Sequence, residues 1–575
     1  MKKLLHFLMP YKKRLLLMIG LLFIQVMGTL YIPTLTANIV NNGIVAGDLD
    51  YVWKTGGFML LTAVATAVFS ILGTLTSTSI STSMGCDIRG ALFRKAQDFS
   101  INNFNKFGAA SLITRSTSDV TQIQQAFSII VEMLLPAPFM TIAGLILAFS
   151  KNRLLAFTIL GFMAAIIIFV VFMGKKVIPI YDRLQGLLDN INRTVRESII
   201  GVRVIRAFNR SGYEKMRTDE TFHEYAKTAI KANKIFAVMI PFVMVLMNVC
   251  TLVIIWIGGQ QVAVGGMQIG DIMAIIEYAM LTLMYLLMGV AVFIFIPRAQ
   301  ICANRINTVL EMQPEIVNNI VQFNRKKSNA KVEFKNVTFR YAGAEEVVLH
   351  DIDFTVEKGK TTAIIGSTGS GKSTIASLLM RFYDIEKGNI LIDGKDVREY
   401  PQEKLRDKIG YVPQKAFLFS GTIADNLCHG KRDATEEEMH HAAKIAQIDD
   451  FITGLDKGLG SPVSQGGSNF SGGQKQRLSI ARAIIRKPDI YIFDDSFSAL
   501  DFKTDASLRK ALKQEIADSA VIIVAQRIST ILDADQIILL DEGKIVGRGT
   551  HRELLERCLV YQQIAKSQLS EEELA

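Results

Sequence analysis

Cysteine is scarce in this chain. The five residues of this type (Cys86, Cys250, Cys302, Cys428 and Cys558) are scattered along 575 positions with no metal-ligand spacing. That spacing excludes a cysteine-built metal site, and the thiols read as reduced, without disulfides. No cleavable signal peptide is evident either. Met1-Lys-Lys opens a short amphipathic stretch ending at Pro10-Tyr-Lys-Lys-Arg14, with no small-residue cleavage pattern after it. No internal repeat or low-complexity tract stands out. Long apolar runs, by contrast, are abundant. Half of the residues (50%) are hydrophobic, and the apolar content is concentrated in the first 300 or so positions. The remainder has the composition of a soluble α/β domain. The formal net charge of +10 fits loops beside anionic lipid better than nucleic acid.

Six apolar stretches are long enough to cross a bilayer, which takes about 20 residues. They fall near 15–40, 57–82, 129–149, 154–174, 235–258 and 272–296. Pro33, Pro136, Pro138 and Pro241 sit inside them, as buried helices tolerate when neighbours satisfy the backbone. The first loop, 41–56, carries Asp48 and Asp50 against Lys54, and Gly258 to Asp271 holds no Lys or Arg. The long loops 83–128 and 175–234 are rich in both. These loops and the two termini are therefore expected in the cytoplasm. The turn Ser150-Lys-Asn-Arg153 then lies outside, against that trend. Within 181–207, Tyr181, Leu184, Leu187, Leu188, Ile191, Val195, Ile199 and Val202 recur at three- and four-residue steps. Helices are expected to run far past the membrane.

The second half carries the chemistry. Gly366, Ser367, Thr368, Gly369, Ser370, Gly371, Lys372 and Ser373 fit G-x-x-x-x-G-K-[ST]. Such glycines let backbone N–H groups curl around phosphate, the lysine reaches the β/γ-phosphates, and the serine can hold Mg²⁺. A strand precedes it at Thr362–Ile365, and a helix follows from Thr374, whose N-terminus favours anions. Ile490-Tyr-Ile-Phe-Asp494 reads as a buried strand ending in a carboxylate suited to Mg²⁺. Asp495 comes next, then Ser-Phe-Ser-Ala-Leu-Asp501. Ser471-Gly472-Gly473-Gln474 heads a further helix.

Together these pieces resemble the nucleotide-binding domain of ABC transporters. The six spans with long extensions resemble the exporter-type half-transporter of that family. The resemblance implies a membrane all-α domain at 1–315, a linker at 316–330 and an α/β P-loop ATPase domain at 331–575. It implies ATP and Mg²⁺ as cofactors, with Ser373, Gln414 and Asp494 around the metal. Tyr341, at a strand end, would stack on adenine. Gln414, in Tyr411-Val-Pro-Gln414, would sense the nucleotide. Coupling helices would lie near Phe104–Leu112 and Phe208–Met216. Ser471, Gly472, Gly473 and Gln474 would close on nucleotide held by an opposite domain, with Asp501 nearby, so a second chain is required.

Four positions depart from the family pattern. Asp495 stands where a catalytic Glu is usual, its carboxylate set back by about 1.5 Å. Gln526 replaces the switch His and cannot become cationic. Val463-Ser-Gln-Gly-Gly467 lacks the usual Glu, and Ser496 replaces a Pro. The resemblance is thus to the degenerate-site subunit of heterodimeric multidrug exporters, paired with a chain carrying the Glu and His. Export of amphiphilic, drug-like compounds across the plasma membrane is the cargo expectation. A lipid flippase, a peptide or siderophore carrier, and a non-transporting regulator are the alternatives. Within the spans, Glu132, Asn248 and Glu277 read either as cavity groups drawing cationic cargo or as interhelical hydrogen-bond partners. Met273, Met280, Met284 and Met288 read either as packing or as an adaptable binding stripe.

Overall fold

The computed structural model describes residues 2–292, 295–316 and 330–569. Two compact units result. The first comprises Met1–Gln97 with Ala109–Met312, and the second comprises Asp98–Gly108 with Gln313–Ala575. The linker expected at 316–330 lies almost wholly outside the described residues, as do 293–294 near the end of the sixth span.

The first unit holds six apolar helices long enough to cross a membrane: α1 (Lys3–Ile44), α2 (Leu49–Gln97), α3 (Ala109–Lys151), α4 (Arg153–Ile200), α5 (Ser211–Ala263) and α6 (Ile269–Val290). A further helix, α7 (Ile296–Glu311), follows. The 49 residues of α2 span about 70 Å at 1.5 Å per residue, against a hydrocarbon core of about 30 Å. The expected extensions are therefore real. Leu30, Met140, Ile159, Ile254 and Tyr278 anchor the core of this unit. Thr34 Oγ1 and the Tyr278 hydroxyl meet at 2.6 Å inside it. At the turn 150–153, Lys151 pairs with Asp271 at 2.7 Å, both largely buried. The lysine that runs against the loop-charge trend is thereby neutralised within its own chain.

Short helices interrupt the extensions. Residues Ile101–Phe107 form one, capped by Ser100, and Gly108 ends it at φ 74°. This helix belongs to the second unit. Buried Asn103 accepts the backbone N–H of Glu315 at 3.1 Å, and Lys106 pairs with Glu315 at 2.8 Å. The other short helix lies at Val202–Ala207, just before the segment 208–216 where one was expected. Residues 208–210 instead form a turn, with Asn209 left-handed at φ 51°, a conformation Asn tolerates. From Ser211 the chain is already in α5.

The second unit contains three sheets. Strands β1 (Ala330–Phe339), β2 (Leu349–Glu357), β4 (Lys387–Ile392) and β5 (Lys395–Asp396) form an antiparallel layer ordered β2-β1-β4-β5. The main sheet is ordered β12-β11-β3-β10-β9-β6. Its strands are β3 (Thr361–Gly366), β6 (Ile409–Val412), β9 (Ile490–Asp494), β10 (Ala520–Val524), β11 (Gln536–Asp541) and β12 (Lys544–Gly549). All neighbours are parallel except β11–β12. A two-residue ladder, β7 (Gly421–Thr422) with β8 (Pro462–Val463), completes the set. Strands β9 and β10 are buried at every position, as parallel strands covered on both faces must be.

Candidate functional site

Ligands of open α/β sheets bind outside the carboxyl ends of the parallel strands. Here β3, β10, β9 and β6 are consecutive in the sheet, so the loops leaving them converge. The phosphate loop follows β3, Gln526 follows β10, Asp494 ends β9 and Gln414 follows β6. Four segments distant in sequence are gathered by strand order alone.

The phosphate loop feeds α8 (Lys372–Leu379). Gly369 and Gly371 take φ 86° and 95°, values that disfavour a side chain. At Gly366 a Cβ would strike the carbonyl oxygen of Leu540. Lys372 is buried, and its ammonium donates to the carbonyls of Gly366 at 2.9 Å and Ser367 at 2.6 Å. Burial lowers the Lys372 pKa, against the pull of Asp495 and Asp494. Ser370 Oγ is buried and unpartnered inside the loop. A polar cradle with an orphan hydroxyl and a desolvated ammonium fits phosphate oxygens.

Ser373 Oγ donates to Asp494 Oδ1 at 2.8 Å. Hydroxyl and carboxylate together form an oxygen donor set of the kind Mg²⁺ prefers. Asp494 is 3% exposed. Burial raises its pKa, while bonds from Ser373 and Tyr411 oppose the rise. The Tyr411 hydroxyl donates to Asp494 Oδ2 at 3.3 Å, and its own pKa is raised by burial and by that carboxylate. Tyr341 lies edge-on to Phe339 and Tyr383, its hydroxyl 3.0 Å from Thr374 Oγ1. The structure therefore brings Tyr341, Thr374 and the loop together.

The two altered positions meet directly. Gln526 Nε2 donates to Asp495 Oδ2 at 2.9 Å, and Gln414 Nε2 donates to the same oxygen at 3.1 Å. Asp495 is left-handed at φ 47°, and its N–H donates to Val524 O at 2.8 Å. Ser496 is fully buried, and its hydroxyl donates to Val412 O at 3.1 Å. In the segment 463–467, Gly466 and Gly467 are left-handed at φ 65° and 64°.

Ser471 caps α9 (Gly472–Ile484). Its Oγ accepts the Gln474 N–H at 3.3 Å, and Gln474 Oε1 accepts the Ser471 N–H at 2.8 Å. Among the described residues, no hydrogen bond joins Ser471, Gly472, Gly473 or Gln474 to the phosphate loop. Asp501 caps α10 (Phe502–Glu515) through Thr504 N at 3.0 Å, and those bonds lower its pKa. Gln568, on α11 (Leu559–Gln568), was missed by sequence reasoning. Its side chain accepts from Ile528 N at 2.8 Å and donates to Gln526 O at 3.0 Å, pinning the loop after β10. No local pattern marks it.

Glu132, Asn248 and Glu277 are exposed on this chain, and so are Met273, Met280 and Met284. Those three methionines lie outside the core of their own unit.

The family model for the ABC transporter transmembrane region matches residues 15–287, and the ABC transporter model matches 349–498. An uncharacterized ABC transporter ATP-binding protein of Mycobacterium tuberculosis is 40% identical over 97% of this chain and 96% of its own length. The chain belongs to the ABC transporter family. This transporter carries its transmembrane region and its ATPase domain in one polypeptide, and its ATPase is coupled to transport. A solved structure, that of a bacterial Atm1-family ABC exporter with ATP bound, matches with a TM-score of 0.79 at 25% identity, covering 97% of this chain and 99% of that one. An ATP-dependent lipid A-core flippase of Vibrio vulnificus is 27% identical over 99% of this chain and 98% of its own.

Proposed function

We propose that this transporter is one half of a heterodimeric exporter whose own nucleotide site hydrolyses ATP poorly. The observation that carries the reading is the contact of Gln526 with Asp495. Both residues stand where the family resemblance calls for other chemistry, and both belong to one local network. The Asp495 carboxylate accepts two amide donors and has no cationic neighbour at position 526 to assist the γ-phosphate. Phosphate binding is left whole. Residues 366–374 and Lys372 hold the phosphates, and Tyr341 stacks on the base. Ser373, Gln414 and Asp494 would hold Mg²⁺, which neutralises phosphate charge when bound. Ser471 and Gly473, exposed or nearly so, serve the site of the partner chain.

The domain limits follow this reading: membrane domain 1–315, linker 316–330, ATPase domain 331–575. Loop charge supports cytoplasmic termini in the plasma membrane. Cargo is a small amphiphile expelled outward. The flippase reading is the second one, supported by the full-length similarity to the Vibrio protein.

The test is to purify a tagged copy from its native membrane and identify any chain present in equal amount. A homologous partner with Glu and His at the two altered positions is expected. Recovery of a homodimer with two hydrolysing sites would overturn the proposal.

A further inference from the structure

In the first unit, a cavity of 480 Å³ opens between α2, α3 and the start of α7. Its volume falls within the about 300–1,000 Å³ typical of small-molecule sites. The lining is chemically one-sided. Hydroxyls come from Ser81, Thr82 and Ser128, and amides from Gln122 and Gln125. Among the described residues, Arg298 is the one cation of the lining, and no carboxylate lines the cavity. Ala126, Ile129, Phe295 and Ala299 contribute to the apolar surface, which is the larger share of the lining.

The wall is built rather than incidental. Ser81 is buried, and its Oγ donates to Gln124 O at 3.1 Å. Gln124 Nε2 returns a bond to Ser81 O at 3.1 Å. Arg89 spends its guanidinium on the same seam, donating to Gln124 Oε1 at 3.0 Å, Thr121 Oγ1 at 3.1 Å and Ser116 O at 3.2 Å. At Gly85 a Cβ would collide with the Gln124 side chain, so a glycine there lets the two helices close. Gln124 and Arg89 are thus structural. Gln122, Gln125, Ser128 and Arg298 make no hydrogen bond or ion pair among the described residues and remain available.

We propose that this cavity receives the head group of a transported amphiphile, a head rich in hydroxyl or amide groups and bearing one negative charge. The apolar surface suits the root of a hydrocarbon chain, the free amides and hydroxyl replace part of the water lost by the head's own polar groups, and the one unpaired guanidinium among the described lining residues selects one carboxylate or phosphate. A cationic head would meet Arg298 with no acid to offset it. Glu132 and Glu277 stand outside the lining, so the expectation of cationic cargo finds no support here. This inference deepens the exporter reading and rests on it for the word transported.

The complex, purified from its membrane and placed in nanodiscs without nucleotide, is titrated calorimetrically with four probes. Three share an octyl chain: octyl β-D-glucuronide, octyl β-D-glucoside and octyltrimethylammonium. The fourth, methyl β-D-glucuronide, lacks the chain. The octyl glucuronide is expected to bind about tenfold tighter than the glucoside, and the ammonium weakest. Arg298→Gln brings the glucuronide down to the glucoside, while Arg298→Lys keeps the order. Gln122→Leu with Gln125→Leu weakens both sugars and preserves their ratio. Ammonium binding equal to that of the glucuronide, or a ratio unchanged in Arg298→Gln, overturns the proposal. Equal affinity for the methyl and octyl glucuronides overturns the amphiphile clause and points to a soluble cargo. Because nucleotide is absent, a failure of the asymmetric-site reading leaves these outcomes untouched.

Discussion

Asp495 and Gln526 differ from the expected Glu and His, yet each keeps a polar side chain, and the two bond to each other. Replacing both, as Asp495→Glu with Gln526→His, is expected to preserve the fold and add hydrolysis at this site. Trapping nucleotide separately at each site of the complex checks this. Unchanged single-site hydrolysis would mean that another element, such as the partner's signature segment, also limits the chemistry. A second prediction concerns pH. Burial works to raise the carboxyls of Asp393 and Asp489, but bonds from Lys331 and Lys408 outweigh it and hold both below their usual range. A depressed carboxyl contributes stability above its unfolded pKa of about 3.9 and loses it as pH falls through the folded value. Lys331→Met should therefore cost about 1 kcal/mol at neutral pH and nothing once pH falls below the folded values. Urea melts at pH 7 and at a pH below the folded values measure the difference. A cost that persists at the lower pH would assign the effect to packing. At this scale the sequence displayed the motif residues plainly. It did not display their partners. Tyr411, the Leu540 carbonyl and Gln568 reach the site only through strand order.

Among the elements, the helices were legible where periodicity was long, and misplaced where a single residue decides. The short helix Val202–Ala207 sits before the expected segment because Asn209 takes the left-handed turn and Ser211 restarts the helix. The helix Ile101–Phe107 fell close to its expected position, since Ser100 caps it and Gly108 ends it. What sequence hid is its attachment to Glu315 through Asn103, more than 200 residues away. Asn103→Ala leaves the Glu315 N–H without that partner and should cost about 1–3 kcal/mol. Hydrogen exchange across 100–107 and at Glu315 is expected to speed up together, while the amides of β9 and β10 stay protected. Protection unchanged at 100–107 would show that the helix is held by other contacts.

For the molecule as a whole, the decisive matter is that one chain supplies a phosphate loop and a signature segment that share no hydrogen bond among the described residues. If the sites are crossed, Lys372→Ala should weaken nucleotide binding here but leave substantial turnover in the complex. Gly473→Glu should abolish most of it. The chain itself explains little of that second loss: a Cβ at Gly473 meets Ala499 O at 3.2 Å and Leu500 Cδ2 at 3.7 Å, and Gly472 has open space. The harm would fall on an approaching phosphate, through bulk and like charge. Paired ATPase and transport assays, with assembly checked by size, decide it. Tolerance of Gly473→Glu beside a lethal Lys372→Ala would mean that the sites are not crossed or that this chain supplies the active one.

The placement of β3 bears on how the protein is made. The strand that launches the phosphate loop has as its two neighbours β10 and β11, which leave the ribosome more than 150 residues after it. Gln568, which pins the loop after β10, emerges later still. While those intervening residues are being made, the phosphate loop therefore hangs from a strand with open edges. A ribosome stalled before residue 520 would carry a chain that holds Lys372 and the signature segment and still has no assembled nucleotide pocket.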